Sequence, residues 1–367
     1  MSRVLLISKP LEAPWNDSSK NLVRDLVLGL ERFEATGLGR RGGETRLGRA
    51  DLDPIHPAGR GGFAPALAEQ GRVLARLLTD RGSDIFHYFF APNPKTSGVA
   101  RLVSQLRRKP TVQTVCSVPK ADAKLERVLF GDRVVVLSEH TEQRFLAAGI
   151  ARERVVRIPP AAPPLEPLDA AGRRAARREL GLPADAPLVL YPGDLEFGNG
   201  ASFVLEAHAA LPNDTELVLA CRTKTPRALE IARTLRERAQ ALGTTPRVTF
   251  LGETPNILKL VASADVVALP SDVAYAKMDY PLVLLEAMAL ARPVVVCEGT
   301  PAAELARHEG AVATGASDTA VAEILSALLS DTARREALGA AARRAALADY
   351  GRSGMARAYE ALYAALL

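Results

Sequence analysis

The chain has 367 residues, of which 48% are hydrophobic and 24% charged, and its formal net charge at pH 7 is +5. This length exceeds the size at which one hydrophobic core usually stops growing, and the composition is that of a folded protein. We therefore expect two domains and exclude intrinsic disorder. No apolar run reaches the roughly 18 residues of a membrane span and the first residues do not form a signal peptide, so we expect a cytoplasmic protein without a membrane span.

Short β-rich runs alternate with amphipathic stretches in the first half of the chain, which is the pattern of parallel strands joined by crossover helices. The predicted strands cover residues 3–8, 85–90, 111–115 and 133–137. The predicted helices cover residues 19–30, 65–79, 97–107 and 141–148, and Ser18 or Ser19 is expected to cap the first of them. The stretch 37–62 is rich in glycine and arginine and shows little periodicity, so we expect it to be irregular.

This first half is more basic than the second. Residues 1–165 hold 26 Lys and Arg against 17 Asp and Glu, a net charge of +9, whereas the remaining residues have a net charge of −4. The excess makes the first half a candidate surface for anionic partners, including a peripheral contact with a membrane. A genome-wide codon bias toward arginine explains the same counts, and that alternative stays open. We expect no nucleic-acid partner.

A proline-rich segment divides the chain, because five prolines fall between Pro159 and Pro167 and exclude a helix interior or a central strand. The alternation restarts beyond it, with predicted strands at residues 188–191, 216–220, 247–250, 266–269, 293–297 and 311–314. We therefore predict an α/β fold of two doubly wound Rossmann-like domains that face each other across a cleft. The first domain is placed at residues 1–162, a linker region at 163–185, the second domain at 186–349 and a last helix at 350–367.

Glycine and basic residues follow two of the second-half strands, at the edge where open α/β sheets bind ligands. Gly193 lies in the turn after residues 188–191, and Arg222 and Lys224 follow residues 216–220. Glycine lets backbone amides approach a phosphate, and arginine and lysine are the usual side chains that hold its oxygens. The alternatives are a tight β-to-α turn and solvated loop charges. Lys277, in the loop before Pro281, is a third candidate cation.

The run from residue 278 to residue 289, followed by Arg292-Pro293-Val294, is the most informative part of the chain. A loop enters an apolar helix that contains one carboxylate, Glu286, and a proline then begins a β-branched strand. This order resembles the donor-sugar site of the family 4 glycosyltransferases, which have the GT-B fold. The chain is identified as a divergent member of that family, because Met278 stands where the family usually has a second glutamate.

The resemblance implies roles for residues of the second half. Glu286 falls where the family glutamate holds the ribose hydroxyls of a nucleotide-diphosphate sugar, and the amides of Leu282 and Val283 fall at a helix start that faces phosphate. The run Phe250-Leu251-Gly252-Glu253 resembles the segment whose backbone, here Leu251 and Gly252, meets the nucleotide base. The family usually has two cations in the turn that contains Gly193, and this chain has Asp194 and Asn199 in those places.

Candidate replacements exist for the missing groups. Arg222, Lys224 and Lys277 are the candidate phosphate ligands, and Asp279 is the candidate catalytic carboxylate beside Met278. His87 resembles a histidine at the end of a family strand and is a second candidate catalytic residue, although a histidine beside aromatic residues is more often packed than catalytic.

Trp15, Asn16 and Asp17 fill the loop that touches donor phosphate and acceptor in the family, so they are the candidate acceptor-side residues. Trp15 either stacks on a sugar face or seals the domain interface. Ser138 is either part of a family turn or a helix cap. Cys116 stands where many members have a histidine.

The resemblance implies a retaining glycosyltransferase that moves a sugar from a nucleotide sugar to an unidentified acceptor held by the first domain. We expect no cofactor and no metal, because cationic side chains and helix N-termini neutralise the leaving diphosphate and Cys116, Cys221 and Cys297 lack metal-ligand spacing. The alternative is a non-catalytic pseudo-glycosyltransferase that binds nucleotide or acts as a partner subunit. The replacements at Asp194, Asn199, Met278 and Cys116 favour that alternative.

Overall fold

The computed structural model describes residues 2–59, 66–91, 93–121 and 123–367, except for the side chain of His308. The chain divides into two compact units, each built on its own, mainly parallel sheet. The first unit comprises residues 1–161, 275–280 and 350–367, and the second comprises residues 162–274 and 281–349. The predicted fold class, with two Rossmann-like domains, is confirmed. No helix among the described residues is long and apolar enough to cross a bilayer.

The first unit contains an eight-stranded sheet with the strand order β3-β4-β2-β1-β5-β6-β7-β8. Its strands are β1 Arg3–Ile7, β2 Glu34–Arg40, β3 Arg46–Leu47, β4 Ala50–His56, β5 Ile85–Phe89, β6 Thr111–Thr114, β7 Arg133–Val136 and β8 Val155–Arg157. Its helices up to residue 161 are α1 Ser18–Gly29, α2 Leu67–Thr79, α3 Pro94–Arg107, α4 Leu125–Val128 and α5 Glu139–Ala147. Only β3 runs antiparallel to its neighbour, β4.

Within the stretch 37–62, residues 37–40, 46–47 and 50–56 belong to β2, β3 and β4, so the prediction that this stretch is irregular was wrong for those residues. Gly37 of β2 lies so close to Leu11 and Leu52 that an added Cβ atom would come within 2.7 Å of Leu11 Cδ1. The glycine leaves room for these leucine side chains, and it interrupts the alternation of side chains by which a strand is recognised in a sequence. Residues 60–62, and Pro65 of the predicted helix 65–79, lie outside the described residues.

The second unit contains a six-stranded parallel sheet with the order β11-β10-β9-β12-β13-β14. Its strands are β9 Leu188–Tyr191, β10 Glu216–Ala220, β11 Val248–Leu251, β12 Val266–Leu269, β13 Val294–Cys297 and β14 Ala311–Thr314. Its helices are α6 Ala170–Glu179, α7 Gly200–Ala209, α8 Pro226–Ala241, α9 Ile257–Ser263, α10 Leu282–Ala289, α11 Asp318–Ser330 and α12 Thr332–Asp349. From β9 the chain adds strands toward one edge of the sheet, as far as β11, and from β12 it adds them toward the other edge, as far as β14. Open α/β sheets bind ligands at the carboxyl ends of the strands, at the point where the order of strands switches in this way.

The last helix, α13 Arg352–Ala364, belongs to the first unit and packs on α1. Its Glu360 side chain is 1% exposed, and one carboxylate oxygen accepts hydrogen bonds from the amides of Glu31, Arg32 and Phe33 at 2.8, 2.5 and 3.2 Å. These three amides lie in the connection from α1 to β2, so one carboxylate satisfies donors that the connection itself leaves unpaired.

Candidate functional site

The turn after β9 requires glycine for a local reason. The Tyr191 side chain at the end of β9 is buried, and a Cβ atom added at Gly193 would meet its ring at 2.7 Å. The same absence of a side chain leaves the backbone of the turn open to close approach by a ligand. Gly193 is therefore explained by packing, and its proposed role toward phosphate stays a prediction.

Two basic side chains from the loop after β10 meet the first acidic residue of the turn after β9. The Lys224 Nζ atom lies 3.0 Å from Oδ2 of Asp194, and the Arg222 Nη2 atom lies 3.7 Å from Oδ1. The two strands are neighbours in the sheet, so their carboxyl ends place these loops together. Arg222, Lys224 and Asp194 therefore form one partly exposed cluster with a net charge of +1, which we name the cation cluster.

The second replaced position in this turn, Asn199, has a structural partner. The Asn199 backbone amide and side-chain amide donate to the two oxygens of Asp272 at 2.7 and 2.8 Å. Gly198 directly before it has φ of +79°, and a Cβ atom there would meet Asp272 Oδ1 at 2.7 Å. These contacts tie the turn after β9 to the loop after β12, so Asn199 fixes the shape of the loops around the cation cluster.

The base-binding candidates lie on the strand next to β10. Leu251 at the end of β11 pairs in register with Ala220, and its carbonyl accepts from the amide of Cys221 at 2.9 Å. Gly252 is exposed, and a Cβ atom there would meet no protein atom within 4 Å. The sheet thus places Leu251 and Gly252 beside the loop that carries Arg222.

Helix α10 carries the remaining predicted donor ligands of the second unit. It begins at Leu282 after Pro281, which makes no side-chain capping bond to the first turn, and that turn includes the amides of Leu282 and Val283. Amides without such a partner give a helix N-terminus partial positive charge. Glu286 is half-buried between the buried residues Leu285 and Ala287.

Lys277 and Asp279 lie in the segment 275–280, which packs within the first unit. The Val118 amide donates to the Lys277 carbonyl at 2.9 Å, and the Ala276 amide donates to the Val118 carbonyl at 3.0 Å. The structure therefore groups Lys277 with residues of the first unit, whereas Arg222 and Lys224 belong to the second.

Asp279 has a partner that the sequence did not reveal. Its carboxylate is 4% exposed and accepts a 2.7 Å hydrogen bond from the Ser138 hydroxyl. Ser138 also caps α5, where its oxygen accepts from the Thr141 amide at 3.1 Å. No local sequence pattern connects residues 138 and 279, and only the helix cap was predictable.

Trp15, Asn16 and Asp17 lie in the loop between β1 and α1. Asp17, rather than the predicted Ser18 or Ser19, caps α1 by accepting from the Lys20 amide at 3.2 Å, since a carboxylate is a strong acceptor at a positive helix end. Burial acts to raise the pKa of Asp17, but the charge of Lys9 and hydrogen bonds from Lys9, Ser19 and the Lys20 amide lower that pKa to about 2.

Cationic groups flank the only tryptophan. The Lys20 ammonium and the Arg24 guanidinium each lie 5.3 Å from the centre of the half-buried Trp15 ring, within the range of cation–π attraction. The Lys9 ammonium lies 2.6 Å from the Asp17 carboxylate in the same loop. The Trp15 ring therefore lies between a loop that contains the Lys9–Asp17 ion pair and the cations of Lys20 and Arg24 on the first turns of α1.

His87 is fully buried at the centre of the first sheet. Its Nδ1 atom lies 2.6 Å from the Tyr363 hydroxyl and its Nε2 atom 2.8 Å from the Thr114 hydroxyl. Burial lowers the pKa of His87 well below its usual value, so the ring is neutral. This environment is typical of a packed histidine. Cys116 is also buried, and burial raises the pKa of its thiol, which stays protonated.

Within the described parts of the chain, no three or more His, Cys, Asp and Glu residues are arranged to hold a metal ion. The three cysteines are free and buried.

A model of the family described as "Glycosyl transferases group 1" matches residues 172–345, most of the second unit and its helices. The D-inositol 3-phosphate glycosyltransferase of Xylanimonas cellulosilytica is 33% identical over 233 residues, which are 60% of this chain and 54% of that protein. The protein of the same name from Corynebacterium urealyticum is 35% identical over 171 residues, 44% of this chain and 39% of that protein. The chain thus aligns with about half or less of these relatives.

Solved structures resemble the whole chain. The Anabaena protein Alr3699/HepE in complex with UDP and glucose has a TM-score of 0.79 at 18% identity and covers 99% of both chains. Sucrose-phosphate synthase from Thermosynechococcus elongatus has a TM-score of 0.77 at 19% identity and covers 100% of this chain and 99% of that one. At these identities the likeness shows the fold alone, and that fold is GT-B, as the sequence predicted.

Proposed function

We propose that this protein is a retaining glycosyltransferase of family 4 that transfers a sugar from a nucleotide-diphosphate donor to an acceptor on its first unit. The cation cluster carries the proposal, because Arg222 and Lys224 supply positive charge at the edge of the second sheet where the resemblance requires phosphate ligands. The match of residues 172–345 to the glycosyltransferase family supports it independently.

The donor lies along the carboxyl edge of the second sheet in this proposal. The backbone of Leu251 and Gly252 meets the base, Glu286 accepts the ribose hydroxyls, and the amides of Leu282 and Val283 face the diphosphate. Arg222 and Lys224 hold the remaining phosphate oxygens, beside the glycine turn at Gly193. A carboxylate suits two neighbouring hydroxyl donors because each of its oxygens accepts a charge-assisted hydrogen bond.

The transfer retains configuration at the anomeric carbon. The bond from that carbon to the diphosphate oxygen breaks, the acceptor hydroxyl forms its new bond on the same face, and a phosphate oxygen takes the hydroxyl proton. Charge builds on the leaving diphosphate, and side-chain cations with helix amides stabilise it without a metal ion. Asp279 is the proposed carboxylate near the reacting carbon, whereas the burial of His87 favours a packing role over the predicted catalytic one.

The acceptor is proposed to bind the loop of Trp15, Asn16 and Asp17. The Trp15 ring offers a face for a sugar or cyclitol, and the cations of Lys9 and Lys20 favour an acceptor that carries a phosphate. The relatives named D-inositol 3-phosphate glycosyltransferase make that compound the first acceptor to test. Trp15 is the only tryptophan, so its fluorescence reports acceptor binding directly.

Thermal unfolding with UDP, GDP, ADP, CDP or dTDP tests the donor part. We expect at least one diphosphate to raise the melting temperature, and we expect Arg222→Gln with Lys224→Gln to weaken diphosphates while leaving the matching nucleoside unchanged. Arg227→Gln, an exposed residue at the start of α8, is the control. Equal losses for diphosphate and nucleoside would remove Arg222 and Lys224 from the phosphate site.

A second candidate function is a pseudo-glycosyltransferase that binds nucleotide without transferring a sugar. One observation favours it: Asp279 is 4% exposed and held by Ser138, while the neighbouring Met278 has no charge to offer the reacting carbon. Incubation with the donor that binds best, followed by NMR of the anomeric proton, separates the two functions. A product with retained configuration supports the enzyme, and diphosphate binding without turnover of donor by any acceptor or water supports the pseudoenzyme.

A further inference from the structure

Helix α3 exposes apolar side chains on one side. Val99, Leu102 and Leu106 are 50%, 59% and 66% exposed, and their spacing of three and four residues places them along a single stripe. The opposite side of the helix is buried, including Ala100 and Val103 in the core of the first unit. Side chains as apolar as leucine, gathered at such exposure, are typical of an interaction surface.

Helix α2 lies beside α3 and extends this surface. Its Leu77 shares a core cluster with Ala100 and Val103 of α3, so the two helices are packed against each other. The next residue, Leu78, is 41% exposed. The two neighbouring helices therefore expose five apolar side chains, since Leu67 at the start of α2 is 85% exposed.

Charge on this pair of helices has a single sign at the surface. Residues 66–110 hold eight Lys and Arg but only three acidic residues. Glu69 and Asp80 are buried, and Asp84 accepts a hydrogen bond from the Arg3 amide at 2.9 Å. Both helices are described over their full length, and neither exposes an acidic side chain. The exposed basic residues of this region include Arg72, Arg81, Lys95 and Arg108.

We propose that this surface docks on an anionic lipid bilayer. We name it the α2–α3 face and define it by Lys95, Val99, Leu102 and Leu106, which share one stripe of α3, and by the exposed Arg72 and Leu78 of the neighbouring α2. Apolar side chains of an amphipathic helix enter the boundary between headgroups and acyl chains, and lysine and arginine around them pair with lipid phosphates. The two helices combine both features, and neither of them exposes a carboxylate of its own.

The positive charge and the apolar stripe of the α2–α3 face distinguish among its possible binding partners. A second copy of the chain would bring two basic faces together in a symmetric dimer, and like charges at close range oppose that contact. A nucleic acid would match the charge but would leave the stripe of Val99, Leu102 and Leu106 without an apolar partner. An anionic bilayer satisfies the charge and the apolar stripe together. The proposal uses no residue of the donor site, so it stands or falls separately from the proposed function.

Sedimentation of the whole protein with lipid vesicles tests this inference. We expect binding to phosphatidylcholine vesicles that contain phosphatidylglycerol, and little binding to phosphatidylcholine alone. Leu102→Ser with Leu106→Ser should weaken binding about tenfold or more, because two apolar side chains no longer enter the bilayer. Arg72→Gln with Lys95→Gln should weaken it at least about fivefold, and added salt should do the same.

Leu229→Ser is the matched control, because Leu229 is also 59% exposed but lies on α8 of the second unit. Its vesicle binding should equal that of the unchanged protein, and melting temperatures should show that all variants are folded. Absence of binding to anionic vesicles, or equal losses for the Leu229 and α3 variants, would overturn the proposal. So would a dimer, seen by analytical ultracentrifugation, that the Leu102 and Leu106 substitutions abolish.

Discussion

The ammonium group of Lys224 lies 3.0 Å from the carboxylate of Asp194, on the loop next to the one that carries Asp194. Asp194 stands where the resembled family usually places an arginine, so the sign of the charge is reversed at that position. The neighbouring loop supplies Arg222 and Lys224, and the cation cluster keeps a net positive charge. Any phosphate bound there must compete with the Asp194 carboxylate for the same two cations.

Asp194→Asn should therefore strengthen diphosphate binding. The substitution removes the competing charge and keeps the size of the side chain, and exposed ion pairs of this kind are worth enough to change affinity about two- to fivefold. Isothermal titration with the nucleoside diphosphate that stabilises the protein measures the change. The matching nucleoside should bind as before. Weaker diphosphate binding by the variant would contradict a phosphate role for the cation cluster.

Ser138→Ala should destabilise the protein by about 1–3 kcal/mol, because it removes the cap of α5 and the hydroxyl that serves the buried Asp279 carboxylate. Ser317→Ala is a matched control, since the Ser317 side chain caps α11 in the same way, by accepting from the Ala320 amide. Differential scanning calorimetry compares the two variants. Equal losses would show that the contact between Ser138 and Asp279 adds nothing to the cap.

Glu360→Ala should destabilise the first unit by about 2–4 kcal/mol, because the amides of Glu31, Arg32 and Phe33 lose a shared charged acceptor. Glu360→Gln keeps an acceptor oxygen without the charge and should lose about half as much. The exposed Glu336 of α12 provides the control Glu336→Ala. Hydrogen exchange at residues 31–33 should accelerate in the Glu360 variants alone, and unchanged exchange there would refute the assigned bonds.

Acid should destabilise the fold through buried histidines before the carboxylates titrate. Burial lowers the pKa of His87 well below its usual value and also lowers those of His56 and His208. The unfolded chain binds a proton at each histidine below about pH 6.5, whereas the folded chain keeps His87 neutral. The contribution of neutral His87 to the free energy of unfolding is therefore complete above that pH. It falls as the pH is lowered further, by about 1.4 kcal/mol per pH unit.

Urea unfolding between pH 7.5 and 5 measures this dependence. His87→Gln should be less stable at neutral pH but should lose less stability as the pH falls, since one titrating group is gone. Val135→Ala is the control, because it removes buried apolar side-chain volume from β7 without removing a titrating group, and it should keep the original slope. An unchanged slope in His87→Gln would mean that His87 does not titrate between the folded and unfolded states.

Sequence patterns were sufficient to predict the positions of the strands that are buried on both faces. β12 and β13 are continuous apolar runs with many valines, a pattern that central parallel strands need, and their predicted bounds agree with the structure within one residue. β2 contains two glycines among its seven residues, and Gly37 lies in close contact with Leu11 and Leu52. These contacts join residues that are distant in the sequence, so no local pattern predicts them.

The candidate site likewise has residues that the sequence placed correctly and contacts that it did not reveal. Gly193 and Arg222 were placed near one another because each follows a strand, and strand ends of a parallel sheet share an edge, whereas Leu251 was assigned through the resemblance. Their partners could not be found, because the ion pair of Lys224 with Asp194 and the bond of Ser138 to Asp279 join distant positions. The assignment of the segment 275–280 to the first unit has the same origin, since backbone hydrogen bonds to Val118 have no sequence signature.

Helix α13 has a consequence for how the chain folds during synthesis. The first unit needs the fully buried side chains of Tyr359 and Tyr363, which leave the ribosome only after the whole second unit has been made. Domains generally fold in the order of their translation, but here the earlier unit must wait with an open apolar groove while the later one is completed. We expect nascent chains that stop before residue 352 to bind chaperones through that groove and to release them once α13 emerges.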